Sequence, residues 1–486
     1  MSPRPSRLPS RSVLSREALA GLLTALALIP EVISFSVIAG VDPRSALLAS
    51  VVLTFSMTFV GARSAMVTAA AGSVALVVAP LVEEHGTQYL LPTIVLAGAL
   101  QIVCGVTGLA RLMRFVPRSV TLGFVNSLGI LIFVAQIQHV VDVPWQVYPL
   151  FGLTLGVIVL LPRVTRAVPA SLVAIVAVTA VVVVSGVQVP DVGDQGDLSG
   201  GLPGLTPLDV PLSLHTLQLI WPAALSVVFV GLLESLLTAK VVDDLTGTRS
   251  DKTRESWALG VANVLAGLWG GIAGCAMIGQ SIVNVKLGGA RTRLSTLVTG
   301  VVLLLFITAL SAVTAVIPMV ALAAVMMVVA ISTVSWHSVR PSTLRRMPWS
   351  ETTVMVVTVV TVVVTENLAI GVAIGVVLAL MLFARRVAHV SHVERVVDPG
   401  GAVVRYRISG PLFFASSSGL ADRFSFADDP PEVVIDLAQA QIWDASSVAE
   451  LDAVQARYRA LDTSTSITGL DDRSTTFHGR ISGHLP

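Results

Sequence analysis

The chain has 486 residues, of which 13% are charged and 54% hydrophobic, whereas a soluble domain usually carries about 25% charge. Its 31 Lys and Arg balance 30 Asp and Glu for a net charge of +1, which supplies no global field for drawing in nucleic acid. The two cysteines, Cys104 and Cys275, lie in apolar stretches and exclude both a disulfide framework and a Cys-rich metal site.

A first apolar stretch covers residues 17–39. It carries Glu31 directly after Pro30 and has no small-residue cleavage site, so it reads as a membrane span and not as a removed leader. Runs free of charged side chains follow at 45–62, 64–82, 86–110, 119–141, 143–162, 167–190, 198–233 (but for Asp209), 256–285, 294–339 and 367–384. Each can hold at least one span of about 17–25 residues, or a shorter broken one. Pro318 cuts the 294–339 run, the Gly-rich stretch 270–274 cuts 256–285, and 350–365 adds another. The sum is about fourteen membrane segments.

Short cytoplasmic loops collect Lys and Arg, which tests that number. With the N-terminus inside (Arg4, Arg7, Arg11, Arg16), the inside connections hold Arg63, then Arg111/Arg114/Arg118, Arg163/Arg166, Arg249/Lys252/Arg254, Arg291/Arg293, Arg340/Arg345/Arg346 and Arg385/Arg386/Arg395. The outside connections hold Asp42, Glu83/Glu84, Asp142, Asp191/Asp194/Asp197 and Glu366, with Arg44 the basic exception. Both ends are expected inside. Residues 191–207, rich in Asp, Gly and Pro, read as a long external linker.

From 398 onward the composition shifts to 12 acidic and 7 basic residues. Short strands are expected at Val403–Ile408, Pro411–Phe414, Val433–Leu437 and Ser466–Leu470, with an amphipathic helix over Ser447–Leu461, forming a small soluble α/β domain. It ends soon after Leu470, which reads as a minimal or truncated version of its type.

Ionisable groups inside spans are functional candidates. Glu31 lies in the first span and Glu234 in the eighth, the same place in two sets of seven. Seven is odd, so the second set runs through the membrane in the opposite sense, as in inverted-repeat transporters. The plainer alternative is that either acid caps a broken helix or joins two helices by a hydrogen bond. The third segment, Gly61–Ser73, and the tenth, Gly274–Ser281, are both rich in small and hydroxyl residues. A half-helix starting in mid-membrane would aim its N–H groups at an anion; small-residue packing between ordinary spans produces the same composition.

The opening stretch Ala20-Gly21-Leu22-Leu23-Thr24-Ala25-Leu26-Ala27-Leu28-Ile29-Pro30-Glu31, with Phe35 and Ala39-Gly40, resembles the signature of the SulP (sulfate permease) anion transporters. So does Asn284-Val285-Lys286-Leu287-Gly288-Gly289-Ala290-Arg291-Thr292. The tail, with Val433-Val434-Ile435-Asp436-Leu437 and Asp444-Ala445-Ser446-Ser447, resembles a STAS domain. The resemblance implies an all-α polytopic membrane domain of about 14 spans as a seven-plus-seven inverted repeat with core and scaffold subdomains, followed by a small α/β STAS domain. The implied parts are a cytoplasmic segment 1–15, a transporter domain 16–397 (repeats about 16–190 and 208–397) and a cytoplasmic STAS-like domain 398–486. It also implies a homodimer in a bacterial inner membrane.

Carried over by position, the substrate site falls on Glu31, Phe35, Thr68, Ala69, Ala71, Gly279, Gln280 and Ser281, with Glu31 and Glu234 as proton-coupling groups. Many members have Arg at the place of Gln280 and Gln at the place of Glu31. An ionised Glu31 would repel an anion. Protonated, it could donate a hydrogen bond, and loss of water favours the neutral form of a carboxyl group. The expected function is proton-coupled transport of a small inorganic or organic anion (dicarboxylate, bicarbonate or sulfate) by alternating access; a nucleobase-type proton symporter, an uncoupled exchanger or a channel is the alternative on the same fold. No cofactor, metal, nucleic-acid partner or enzymatic site is expected: His85, His139, His215, His389 and His392 form no ligand pair, and the spans show no nucleophile–base pair. Ser446-Ser447 matches a place where bacterial STAS regulators are phosphorylated, but in transporters reads as a helix N-cap.

Overall fold

The computed structural model describes residues 11–165, 169–195, 204–211, 213–309, 315–388, 390–417 and 419–484. Arg4, Arg7, Arg166, Asp197, His389, most of the expected segment 1–15 and the middle of the expected linker lie outside the described residues. The chain divides into two units, one reaching to Val376 and one beginning at Val377.

The first unit consists of α1 (Arg11–Ile38), α2 (Pro43–Val60), strand β1 (Thr68–Ala70), α3 (Gly72–His85), α4 (Leu90–Val106), α5 (Arg118–Ala135), α6 (Val147–Val164), α7 (Ala170–Ser185), α8 (Leu214–Thr246), α9 (Lys252–Leu268), strand β2 (Gly274–Ala276), α10 (Ile278–Ile282), α11 (Arg293–Ala309), α12 (Met319–Thr333), α13 (Trp349–Thr365) and the start of α14 (Leu368–Ala388). A π turn, Val283–Leu287, continues α10. Among the described residues seven helices are long and apolar enough to cross a membrane: α1, α2, α4 with the turn before it, α5 with the turn after it, α6, α8 and α14. Helices α7, α11, α12 and α13 are apolar but shorter. The chain is a multi-pass membrane protein.

Local chemistry sets the helix ends. Asp42 caps α2 by accepting from Arg44 N at 2.7 Å, with Pro43 in the first turn. Ser213 caps α8, which stops at Gly247 in the left-handed conformation (φ 66°), and Asp251 caps α9. These side chains satisfy N–H groups that a helix leaves unpaired. Helix α4 lies along α9, α11 along α2 and α1, and α5 against α12 and α13. The α4–α9 crossing is close because glycines face each other. A Cβ on Gly98 would sit 2.7 Å from Gly260 O, and one on Gly260 would sit 2.5 Å from Gly98 O, so only glycine permits this backbone approach. Beyond α7, Pro190–Val192 is tied to the start of α12: Val192 N donates to Ile317 O at 3.0 Å and Met319 N to Pro190 O at 2.9 Å.

The second unit carries a four-stranded sheet in the order β3 (His392–Val397), β4 (Val403–Leu412), β5 (Glu432–Ile442), β6 (Ser464–Thr468). Strands β3 and β4 are antiparallel, and the other two pairs are parallel. Helix α15 (Ala445–Arg459) links β5 to β6, and α16 (Asp472–Ile481) follows. The apolar face of the sheet buries Val404, Tyr406, Ile408, Val433 and Ile435 against Val448, Leu451 and Val454. The two strands expected at 403–408 and 411–414 are one, β4, continuous through a bulge between Arg407 and Ser409; the bulge breaks the alternation that a sequence pattern relies on. Helix α16 was not expected, because its polar sequence lacks an apolar stripe of the usual width. At one edge Asp429, its side chain fully buried, accepts from Arg395 Nε at 2.8 Å, from Tyr406 Oη at 2.7 Å and from Tyr458 Oη.

Candidate functional site

Two broken segments meet in the interior of the first unit. Strands β1 and β2 pair antiparallel, with Thr68 opposite Ala276, Ala69 opposite Cys275 and Ala70 opposite Gly274. A two-stranded ribbon has two open edges, and each unpaired N–H or C=O in an apolar interior is costly. Side chains from neighbouring helices close them. On the β1 side Ser50 Oγ accepts from Ala70 N at 3.1 Å, and Thr54 Oγ1 donates to Thr68 O at 2.8 Å. On the β2 side Ser235 Oγ accepts from Ala276 N at 3.0 Å, and Thr238 Oγ1 donates to Ala276 O at 2.9 Å. Asn263 stands in for a third strand: its Oδ1 accepts from Gly274 N at 2.8 Å and its Nδ2 donates to Gly274 O at 3.2 Å. Gln101 Oε1 accepts from the same Nδ2 at 2.8 Å and orients the amide.

Each strand runs into a helix. The residues before α3 and α10, Ala71 (φ −119°, ψ 144°) and Met277 (φ −88°, ψ 118°), are extended and make no side-chain cap bond. Val74 N turns back onto Ala71 O at 3.1 Å; the other first-turn N–H groups, of the kind a helix leaves without intrahelical partners, carry the positive end of each backbone dipole without a capping side chain. Phe35 of α1 lies over Gly72, where a Cβ would strike the ring. Gly279 has the opposite surroundings: it is exposed, and a Cβ added there meets nothing within 4 Å. Open space adjoins the first turn of α10.

The two acids lie beside these turns. Gln280 Nε2 donates to Glu31 Oε2. Ser73 Oγ donates to Glu234 Oε2, and Cys275 Sγ donates to the same oxygen at 3.1 Å. Glu31 and Gln280 are buried and Glu234 is half-buried. Thr68 Oγ1, 1% exposed, has no hydrogen-bond partner among the described residues.

The structure thus brings Glu31, Phe35, Thr68, Ala69, Ala71, Glu234, Gly279 and Gln280 to the strand pair and its two helix starts. Ser281 plays a different part: its Oγ accepts from Val67 N at 3.0 Å and ties the approach to β1 to α10. Sequence reasoning missed Ser50, Thr54, Gln101, Ser235, Thr238 and Asn263, which build the site without facing it. A polar residue in an apolar run was their only signal, and hydroxyls bonded to their own helix leave the same trace.

It also missed a set of charges at the ends of these segments. Glu17, fully buried, accepts from the N–H groups of Arg291 (2.8 Å) and Thr292 (3.2 Å), while Glu255 accepts from those of Ala62 (2.7 Å) and Arg63 (2.9 Å). Arg63 pairs with Asp243 at 3.2 Å, Lys252 pairs with the same acid at 2.6 Å, and Arg293 donates to Thr58 O, Phe59 O and Gly61 O at the C-terminus of α2. Cations suit that end of a helix dipole. In the second unit Asp444 caps α15 through Ser447, whose hydroxyl is buried and donates to Asp444 at 2.9 Å, whereas Ser446 is exposed.

The Sulfate permease family model matches residues 14–148 and 145–358, and the STAS domain model matches 395–476. The chain is 45% identical over 459 residues to "Putative sulfate transporter YbaR" of Bacillus subtilis, covering 94% of this chain and 95% of that protein. It is 24% identical to "Bicarbonate transporter BicA" of Picosynechococcus, covering 86% and 82%. Among solved structures, the murine Slc26a9 anion transporter in its inward-facing state aligns with a TM-score of 0.82 at 15% identity, over 99% of this chain and 92% of that one. The transmembrane domain of a cyanobacterial BicA aligns with a TM-score of 0.66 at 23% identity, over 75% and 98%. At these identities the two structural alignments speak to fold.

Proposed function

The chain belongs to the sulfate permease family, and from that premise we propose that it is a proton-coupled secondary transporter of a small anion. The observation that carries this reading is the convergence of two uncapped helix starts, α3 and α10, on one strand pair with a carboxylic acid beside each. The N–H groups and dipoles supply an anion cradle. The acids supply a proton site: ionised they repel the anion, and protonated they donate to it. Proton and anion then bind with mutual positive cooperativity, as linkage requires.

The inverted repeat is supported by reciprocity. Helix α4 lies on α9 as α11 lies on α2. Glu31 of the first segment reaches Gln280 of the tenth, and Glu234 of the eighth reaches Ser73 of the third. In this reading about fourteen segments form two sets of seven, the transporter runs from 16 to the end of α14, and the cytoplasmic STAS domain, expected from 398, also takes in β3 (His392–Val397). The segments that bear the site move as a core against a scaffold built from α5–α7 and α12–α14, which also forms the dimer. Relatives named as transporters of sulfate and bicarbonate support a small oxyanion as the substrate.

The test is uptake of labelled anions into proteoliposomes under an imposed pH gradient. Accumulation should rise as the external pH falls, and Glu31→Gln or Glu234→Gln, which keeps a donor but cannot release a proton, should bind anion while losing pH-driven accumulation. If both variants concentrate substrate as the parent does, neither acid couples and the symport reading fails.

A further inference from the structure

We infer that the site selects monovalent oxyanions over divalent ones, a narrowing that rests on the anion-carrier reading above. The first ground is the position of every nearby cation. No Lys, Arg or His occurs at 17–43, 64–84, 216–239 or 256–285, the stretches that contain Glu31, both strands, both helix starts and Glu234. Several cations that bound these stretches are engaged or turned to the outside, while Arg44, just past the first stretch, keeps a buried Nε with no hydrogen-bond partner among the described residues. Arg63 and Lys252 share Asp243, and Arg291 Nη1 donates to Val285 O and Ala290 O at 2.9 and 2.8 Å. Lys240 and Lys286 are exposed.

The second ground is the donor set. The side chains at the strand pair and its two helix starts are an amide (Gln280), hydroxyls (Ser73 and the unpartnered Thr68) and a thiol (Cys275), all neutral, together with two carboxyl groups. Neutral donors and helix-start partial charges can hold one negative charge. Protonation of the glutamates removes the repulsion that this charge would meet. Nothing within these segments offsets a second full charge on the ligand, and an anion that stays divalent at neutral pH leaves it uncompensated in an apolar interior. Gln280 is the residue at which this discrimination is set, because it occupies the first turn of α10 and already reaches Glu31, so a guanidinium there would lie between the helix start and the acid.

The experiment uses the full chain in proteoliposomes, with bicarbonate and nitrate as monovalent probes and sulfate and fumarate as divalent ones. Each is measured as labelled substrate and as unlabelled competitor. The expected result is uptake of at least one monovalent probe about tenfold or more above both divalent probes, with weak competition by the latter. Gln280→Arg should narrow the ratio by about tenfold, and the parent ratio remains decisive if that variant fails to fold. Divalent uptake equal to or above monovalent uptake in the parent overturns the selectivity while leaving anion transport intact. Failure to move any anion under any pH gradient overturns the carrier reading itself.

Discussion

Gln280 and Glu31 stand 249 positions apart in the chain and share a hydrogen bond, Nε2 to Oε2, that joins the first turn of α10 to the helix behind Pro30. The bond predicts how substitutions at Glu31 divide. Glu31→Gln keeps an acceptor for Gln280 and should leave the unfolding midpoint in detergent close to that of the parent. Glu31→Leu leaves a buried amide unpaired and should cost about 1–3 kcal/mol. Equal midpoints for the two variants would show that the bond contributes nothing to the fold.

Asn263 presents both halves of its amide to Gly274, and Gln101 holds it. Asn263→Ala should strand Gly274 N and O together, at about 1–3 kcal/mol for each unsatisfied group. Asn263→Asp keeps the acceptor for Gly274 N and loses the donor to Gly274 O and Gln101. Thermal unfolding should rank Ala below Asp and Asp below the parent, and a parent-like Ala variant would remove Asn263 from the strand-holding role.

Space decides which substitution tests the site. Gly279 opens on a void, whereas Ala71 is 1% exposed. Gly279→Leu should fill the space and abolish uptake with the fold intact, as read by size-exclusion profile and melting temperature. Ala71→Leu overpacks a filled position and should lose about 1–3 kcal/mol of stability as well as uptake. Unchanged uptake in folded Gly279→Leu places the anion elsewhere.

In the second unit, burial and then the hydrogen bond to Asp429 hold the Tyr458 phenol above its ordinary titration range. The folded phenol therefore keeps its proton at pH values where the unfolded one, near pH 10, has lost it. The contribution is complete below about pH 10 and is lost as pH rises beyond it. Tyr458→Phe should destabilise this domain at neutral pH by about 1.5–3 kcal/mol, the range for a bond to a charged acceptor, and flatten the alkaline fall. An alkaline melting profile identical in the two proteins would contradict that.

The run of apolar membrane helices, the two odd positions of Glu31 and Glu234, the small-residue character of the third and tenth segments and the change to a small α/β tail were all legible in the sequence. Each is a local property: a run of apolar side chains must span or be buried, and an acid inside such a run stands out against it. Residues 403–414 show where locality fails, because a bulge displaces the alternation and one strand reads as two.

The pairing of Thr68–Ala70 with Gly274–Ala276 belongs to the tertiary structure alone. Two three-residue stretches two hundred positions apart carry no register signal, and three residues make no strand until another edge satisfies their backbone. That edge comes from Ser50, Thr54, Ser235, Thr238 and Asn263 on three helices, whose composition as sequence is that of ordinary apolar spans with a few hydroxyls and one amide. Glu17 and Glu255 make the same point for charge: in sequence they stand near loops, and only the folded chain turns their carboxylates onto the N–H groups of Arg291 and Ala62. The amino-acid order specified which residues must leave water. Which buried polar group would find which partner was decided when α1, α2, α8 and α9 closed around the strands, because an unpaired group in an apolar interior is too costly to leave alone.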